Sequence, residues 1–325
     1  MRMKTWIALV AGAVTASIPA AAAHAQTYPS RAIRYIVPFP PGGGQDVVAR
    51  QFGPRLSELL GQPVIIDNRP GGGATIGAEA AARSPPDGHT IFMASNTTHA
   101  INPNLYQKLG YDPIRDFAPV SQLASLANIL VVHPSLPART LKELTALARS
   151  RPGELNFGSS GNGTPAQLAG VMYSQAAGIR MVHVPYKGSG PALTALLSGE
   201  TQLMFGSMTS SIPFVNSGRL RALAVTGAKR SAAVPGVPTV AESGYPGFEA
   251  TAWYGIALPA GAPPAVVNRL HAEIVKVLHA ADFRNALLAQ GAEPVGNRPD
   301  EFAAYIAAEL KRYTKIVRDA GLRPD

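Results

Sequence analysis

Eight times along this chain a short, β-rich apolar run gives way to glycine or proline and then to a helical pattern. The runs are Ile33 to Phe39, Val64 to Asp67, Thr90 to Ala94, Ile129 to Val132, Leu155 to Phe157, Met181 to Val184, Gln202 to Phe205 and Leu220 to Val225. Strands alternating with helices at this spacing predict parallel, doubly wound α/β sheets. There are too many runs for one compact sheet, so two lobes are expected, each a mostly parallel sheet flanked by helices and joined by a hinge. The segment from Pro119 to His133, interrupted at Leu126-Ala127-Asn128, and the segment from Phe248 to Leu258 are the candidate crossings. The expected division places residues 26–127 plus 250–325 in lobe one and 128–249 in lobe two.

Arg2 and Lys4 precede an apolar stretch from Trp6 through Ala23, and Ala23-His24-Ala25 fits a small-x-small cleavage site, so residues 1–25 read as a secretory signal peptide. The stretch is rich in alanine and short of the roughly 20 strongly apolar residues of a membrane anchor. Export across the inner membrane of a bacterium, and hence a periplasmic location, is expected. The 325 residues are 46% hydrophobic, enough for two α/β lobes with a core each. There is no cysteine, which removes disulfides, a lipid anchor and thiol chemistry together. The 29 basic and 20 acidic residues give a net charge of +9. They are scattered, without a basic run or interleaved aromatics, which argues against nucleic acid.

The first strand stops at a proline pair, and Gly42-Gly43-Gly44 then leads into a helix expected to begin near Asp46. Glycine lets backbone N–H groups approach a ligand closely, and a helix start adds partial positive charge. Gly44 is followed by Gln45, Asp46 and Val47, not by the Lys-Ser or Lys-Thr of a nucleotide loop, so a carboxylate is the better fit. Two later loops share the design. Gly158-Ser159-Ser160-Gly161-Asn162-Gly163-Thr164-Pro165 offers Thr164 as a helix N-cap and Pro165 as the first helical residue. Pro185-Tyr186-Lys187-Gly188-Ser189-Gly190-Pro191 follows the next strand. Such strand ends line the ligand crevice of open α/β sheets. No Asp or Glu occurs from Leu155 to Gly199, and the carboxylate-free stretch from Gly88 to Tyr111 offers Asn96 and Thr97.

Catalytic chemistry finds little support. Gly161-x-Gly163-x-x-Ala166 lacks the acidic residue about 20 positions on that a dinucleotide site requires. No Gly-x-Ser-x-Gly elbow is present. The seven histidines lie apart, and His271 and His279 sit two turns apart on an expected helix, so no metal or other cofactor is expected. Several candidates carry two readings that the residues leave open. Asp46 caps the first helix or touches ligand, Lys187 is solvated or steers anions, and Trp253 and Tyr254 pack the hinge or line the cleft. Asn68-Arg69-Pro70-Gly71-Gly72-Gly73, with Gly77 beyond it, reads as a tight structural turn.

With these segments in view, the chain resembles the periplasmic solute-binding proteins of tripartite tricarboxylate transporters, the Bug-type receptors, over nearly all of residues 26–325. The landmarks are Pro38 to Gly44, Asp67 to Gly73, Pro86-Asp87-Gly88-His89-Thr90, Asn102 to Tyr106, Ser159 to Thr164, Val184 to Gly188 and Pro238 to Gly244. The resemblance implies a two-lobed periplasmic-binding-protein fold that closes on a small carboxylate and hands it to an integral membrane permease. It implies that Phe39, Gly42, Gly43 and Gly44 face Ser159, Ser160, Thr164, Tyr186, Lys187 and Gly188 of lobe two. Gln167 stands where relatives often have histidine, and Gly206 where an aspartate is common. The expectation is a monomeric, non-enzymatic receptor for a di-, tri- or aromatic carboxylate. An exported esterase or reductase, and a receptor serving a signalling partner, are the alternatives.

Overall fold

The computed structural model describes residues 28–322, so the expected signal peptide lies outside the described residues. Among these, ten strands form one continuous curled sheet in the order β2 (Val64–Asn68), β1 (Ile33–Val37), β3 (Thr90–Ser95), β9 (Thr251–Pro259), β4 (Phe117–Val132), β7 (Leu203–Ser207), β5 (Asn156–Ser159), β6 (Val182–Pro185). The remaining two of the ten, β8 (Arg221–Val225) and β10 (Ala292–Pro294), lie off this path and pair with β4. Each of the eight expected runs contributes to a strand. At the two sides the sheet is parallel, β1 against β2 and β3, and β5 against β6 and β7. Between them β9 and β4 run antiparallel to their neighbours.

The 16 residues of β4 are unbroken where the sequence led us to expect an interruption. Phe117 to Ala127 pair with β9, and Asn128 to Val132 pair with β7. Leu126-Ala127-Asn128 is thus the point at which one strand exchanges partners. Thr226 secures the exchange, its Oγ1 accepting the Asn128 N–H at 2.8 Å and donating to the Ala250 carbonyl at 2.6 Å.

Helices cover both faces: α1 (Gly44–Leu60), α2 (Thr75–Ala82), α3 (Asn102–Leu105), α4 (Leu141–Ser150), α5 (Pro165–Ala177), α6 (Ser189–Leu197), α7 (Met208–Asn216), α8 (Pro264–His279), α9 (Ala281–Ala289) and α10 (Pro299–Asp319). The expected apolar stripe of α10 is buried at Phe302, Ile306, Tyr313 and Val317. Ile33, Tyr35, Phe52 and Leu270 belong to a core on the β1 side, and Leu130, Phe157, Tyr173 and Phe205 to another on the β5 side. Each such side chain withdrawn from water contributes about 1.5–3 kcal/mol. Where α10 meets α5, Leu168 joins Tyr313 and Val317 in a smaller cluster.

Strands β1, β5, β6 and β7 each lead directly into α1, α5, α6 and α7. This places four helix starts at one crevice.

Candidate functional site

The pocket in this crevice is built from helix starts and two crossing strands. Gly43, Gly44 and Gln45 come from α1, Pro165 and Ala166 from α5, Ser189 from α6 and Ser207 from the N-cap of α7. Asn128 of β4 and Ala252 and Tyr254 of β9 form the floor, with Phe39, Asn96, Thr97 and Ser160 completing the wall. No ionisable carboxylate or amine lines it. The helices α1, α6 and α7 have no side-chain cap, so their leading N–H groups are left without the usual intrahelical or side-chain acceptor. An N-terminus in this state carries roughly half a positive charge and attracts anions. The cavity measures about 40 Å³.

Outside it lies a wider cleft of about 540 Å³, walled by Pro38 to Pro40, Pro70 to Ala74, Ser160 to Asn162 and Tyr186 to Gly188. Phe39 and Ser160 belong to both spaces and so stand at the passage between them. Gly188, at φ +119°, occupies a conformation that favours glycine, and a Cβ there would lie 2.8 Å from the Pro40 ring. The loops after β1 and β6 therefore meet across the cleft mouth.

Of the residues expected from sequence, Phe39, Gly43, Gly44, Asn96, Thr97 and Ser160 come together on the inner pocket. Tyr186, Lys187 and Gly188 line the outer cleft instead. The Tyr186 hydroxyl donates to Glu200 at 2.7 Å, and Lys187 is exposed and makes no ion pair with a described residue.

Gly42, Asp46, Ser159, Thr164, Gln167 and Gly206 line neither space, and all but the exposed Gly42 are buried. Asp46 accepts hydrogen bonds from the Gly42 N–H at 2.9 Å, from Arg50 Nε and from Asn68 Nδ2 at 2.9 Å. Burial raises the tendency of its carboxyl to take a proton, and the bonds from Arg50, Gly42 and Asn68 outweigh that and hold it below the usual range. It is spent on fixing the glycine loop. Thr164 caps α5 by accepting the Gln167 N–H, and Gln167 Oε1 accepts the Gly163 N–H at 2.8 Å. Gly206 is packed so tightly beneath α7 that an added Cβ would collide with Ser211 Oγ.

Ser159 Oγ lies 2.6 Å from His183 Nε2, a contact that sequence spacing concealed. Yet Ser159 is fully buried and its hydroxyl also donates to the Gly161 carbonyl at 3.1 Å, so the pair braces the loop rather than facing the pocket.

Gln45, Asn128, Ser189, Ser207 and Ala252 were absent from the expected site, and Tyr254, read as packing the hinge or lining the cleft, is on the pocket. Ser207 and Ser189 were within reach of the strand-end reasoning, since each opens a helix directly after a recognised strand or loop. Nothing local marks Asn128, which arrives from a distant strand. Burial raises the Tyr254 phenol above its ordinary value, with a hydrogen bond from Ser207 opposing the shift. Ser207 Oγ in turn lies 2.8 Å from Thr209 Oγ1.

Comparison with known proteins agrees with this architecture. The sequence profile of the tripartite tricarboxylate transporter family receptor (TctC) matches residues 48–322. Protein BugT of Bordetella pertussis is 37% identical over 324 residues, covering 99% of each chain. Among solved structures, R. palustris Rpa4515 with adipate superposes with a TM-score of 0.89 at 37% identity, covering 92% of this chain and 100% of that one. MatC from Rhodopseudomonas palustris with bound malate gives 0.84 at 32% identity over 89% and 100% of the two chains. The chain belongs to the tripartite tricarboxylate transporter receptor family, whose members are periplasmic solute-binding proteins.

Proposed function

We propose that this protein captures a small organic carboxylate between two lobes that close on it, and delivers it to a membrane permease of the tripartite tricarboxylate type. In this reading the lobes are residues 26–127 plus 250–325 and residues 128–249, β4 and β9 carry the hinge, and the chain is exported to the periplasm as a monomer. The observation that carries the reading is the convergence of four helix starts, three of them uncapped, on a pocket lined by no acidic or basic side chain. A hydrogen bond to a charged group contributes about 1.5–3 kcal/mol, and a helix end roughly 0.3–2 more. A few such donors reach the ~8 kcal/mol of micromolar binding. The adipate and malate held by two relatives support the carboxylate class, and family membership supports the permease.

One carboxylate belongs in the inner pocket, at Gly43, Gly44, Ser160 and Ser207. The remainder of the molecule passes Phe39 and extends into the outer cleft, where Lys187 meets a second carboxylate. No covalent step is assigned: Ser159, the serine with a histidine against it, is sealed from the pocket. The test is a thermal-shift screen with mono-, di-, tri- and aromatic carboxylates, in which at least one raises the melting temperature in a concentration-dependent way. Stabilisation by none of them, or turnover of an ester in the same preparation, rules the proposal out.

A further inference from the structure

Two polar atoms beside the pocket do not fit a pocket made only for a carboxylate. Asn96 is fully buried and Gln45 is 6% exposed, both line the cavity, and Asn96 Oδ1 and Gln45 Oε1 are buried without a hydrogen-bond partner. The Asn96 amide cannot simply be turned round. Its Nδ2 donates to the Thr251 carbonyl at 3.2 Å and to the Tyr313 hydroxyl at 3.0 Å, and the carbonyl accepts only a donor, so Oδ1 is left as an acceptor. A buried acceptor without a donor is costly, and a carboxylate oxygen, itself only an acceptor, makes it worse. A ligand that satisfies both amides brings an N–H or O–H of its own.

Charge decides which. An ammonium would enter among four positive helix ends with no acid on the wall, whereas a hydroxyl donates at no electrostatic cost. Size agrees, since about 40 Å³ holds roughly three water-sized groups, two carboxylate oxygens and one more polar atom.

Building on the carboxylate reading above, we infer that the pocket selects carboxylates bearing a hydroxyl close to the bound carboxylate, and that Asn96 and Gln45 are the residues that read it. The hydroxyl shares its single proton between the two amide oxygens in a three-centre bond, while the carboxylate accepts from the helix starts. Matched acids differing only in that hydroxyl are therefore discriminated by side chains, although the carboxylate itself is held by backbone.

The experiment is calorimetric titration of the purified protein with succinate against malate and glutarate against 2-hydroxyglutarate, each hydroxy acid as both enantiomers, repeated on Gln45→Met. In the unaltered protein one enantiomer of at least one hydroxy acid is expected to bind about tenfold or more tightly than its unsubstituted partner. In Gln45→Met, whatever happens to the absolute affinities, that ratio falls at least threefold, with circular dichroism and melting temperature confirming the fold. Equal affinities within both pairs overturn the hydroxyl inference and leave the carboxylate reading standing. An unchanged ratio in Gln45→Met overturns the assignment of the hydroxyl to this side chain. Failure of every acid, in a protein that also ignores the wider carboxylate screen, overturns the underlying reading as well.

Discussion

Gly44 of α1 faces Tyr254 of β9 so closely that a Cβ on the glycine would stand 2.7 Å from the tyrosine hydroxyl oxygen. The same methyl would lie 2.7 Å from Thr209 Oγ1 and collide with Ser207 Oγ. Two hydroxyls from the start of α7, across the crevice, and one from β9, on the same side as α1, thus close around this helix start. Only a residue without a side chain permits that approach.

Gly44→Ala should therefore fold but close poorly. Overpacking of this kind costs about 1–3 kcal/mol, which corresponds to roughly 5- to 150-fold in affinity. Calorimetry of the variant with whichever acid stabilises the parent protein checks it. Undiminished affinity would show that α1 and α7 need not meet in the bound state.

Asp46 is expected to matter for stability more than for contact. Asp46→Ala leaves Asn68, Arg50 and the Gly42 N–H short of an acceptor and should destabilise the protein by about 1–3 kcal/mol in urea denaturation. Because the folded carboxyl is held below the ordinary 3.8, its contribution is complete above that value and is lost as pH falls through the lower folded one. The difference between the two proteins should be constant from about pH 5 upward and shrink below about pH 4.

His99 supplies a second pH dependence with a different window. It is fully buried among Phe92, Phe117 and Trp253, and burial pushes its pKa from the ordinary 6.5 down to about 3. The folded state refuses a proton that the unfolded chain accepts, so stability is full above pH 6.5 and falls as pH drops toward 3. Between pH 6.5 and 5 the loss from this residue is about 2 kcal/mol at one proton per pH unit of 1.36 kcal/mol. His99→Leu is expected to flatten that part of the stability profile, whatever its absolute stability.

Lys187, exposed in the outer cleft, should act on the distal end of the ligand. Lys187→Gln is predicted to weaken a dicarboxylate by roughly 0.2–1 kcal/mol, and a monocarboxylate less, with the difference fading at high salt. Titrations at low and high ionic strength distinguish this from a lysine that only faces solvent, which would leave both ligands unaffected.

Much of this architecture was legible because it is local. Ile33 to Val37, then glycines, then an amphipathic helix is a strand-loop-helix unit that declares itself in a dozen residues, and Thr164-Pro165 announces a helix start by cap chemistry alone. The partner exchange within β4 was not legible, since Leu126-Ala127-Asn128 looks like a gap in apolarity and becomes a handover between β9 and β7. For the same reason Asn128 escaped notice: it reaches the pocket through pairing with Ser207, far along the chain. Asp46 and Ser159 show what residue type alone leaves open. Their residue types suit a ligand, but which way a side chain turns depends on Arg50, Asn68 and His183, and sequence spacing is silent on that.

Everything above rests on backbone amides at converging helix starts taking the place of water around a negative charge. Calorimetric titration of one stabilising dicarboxylate, side by side with its diamide and the matching diamine, isolates that charge at nearly constant shape. Micromolar binding of the acid at neutral pH, with the neutral and cationic analogues at least a hundredfold weaker, is the expected outcome. A diamide or diamine that binds as tightly as the acid would contradict it.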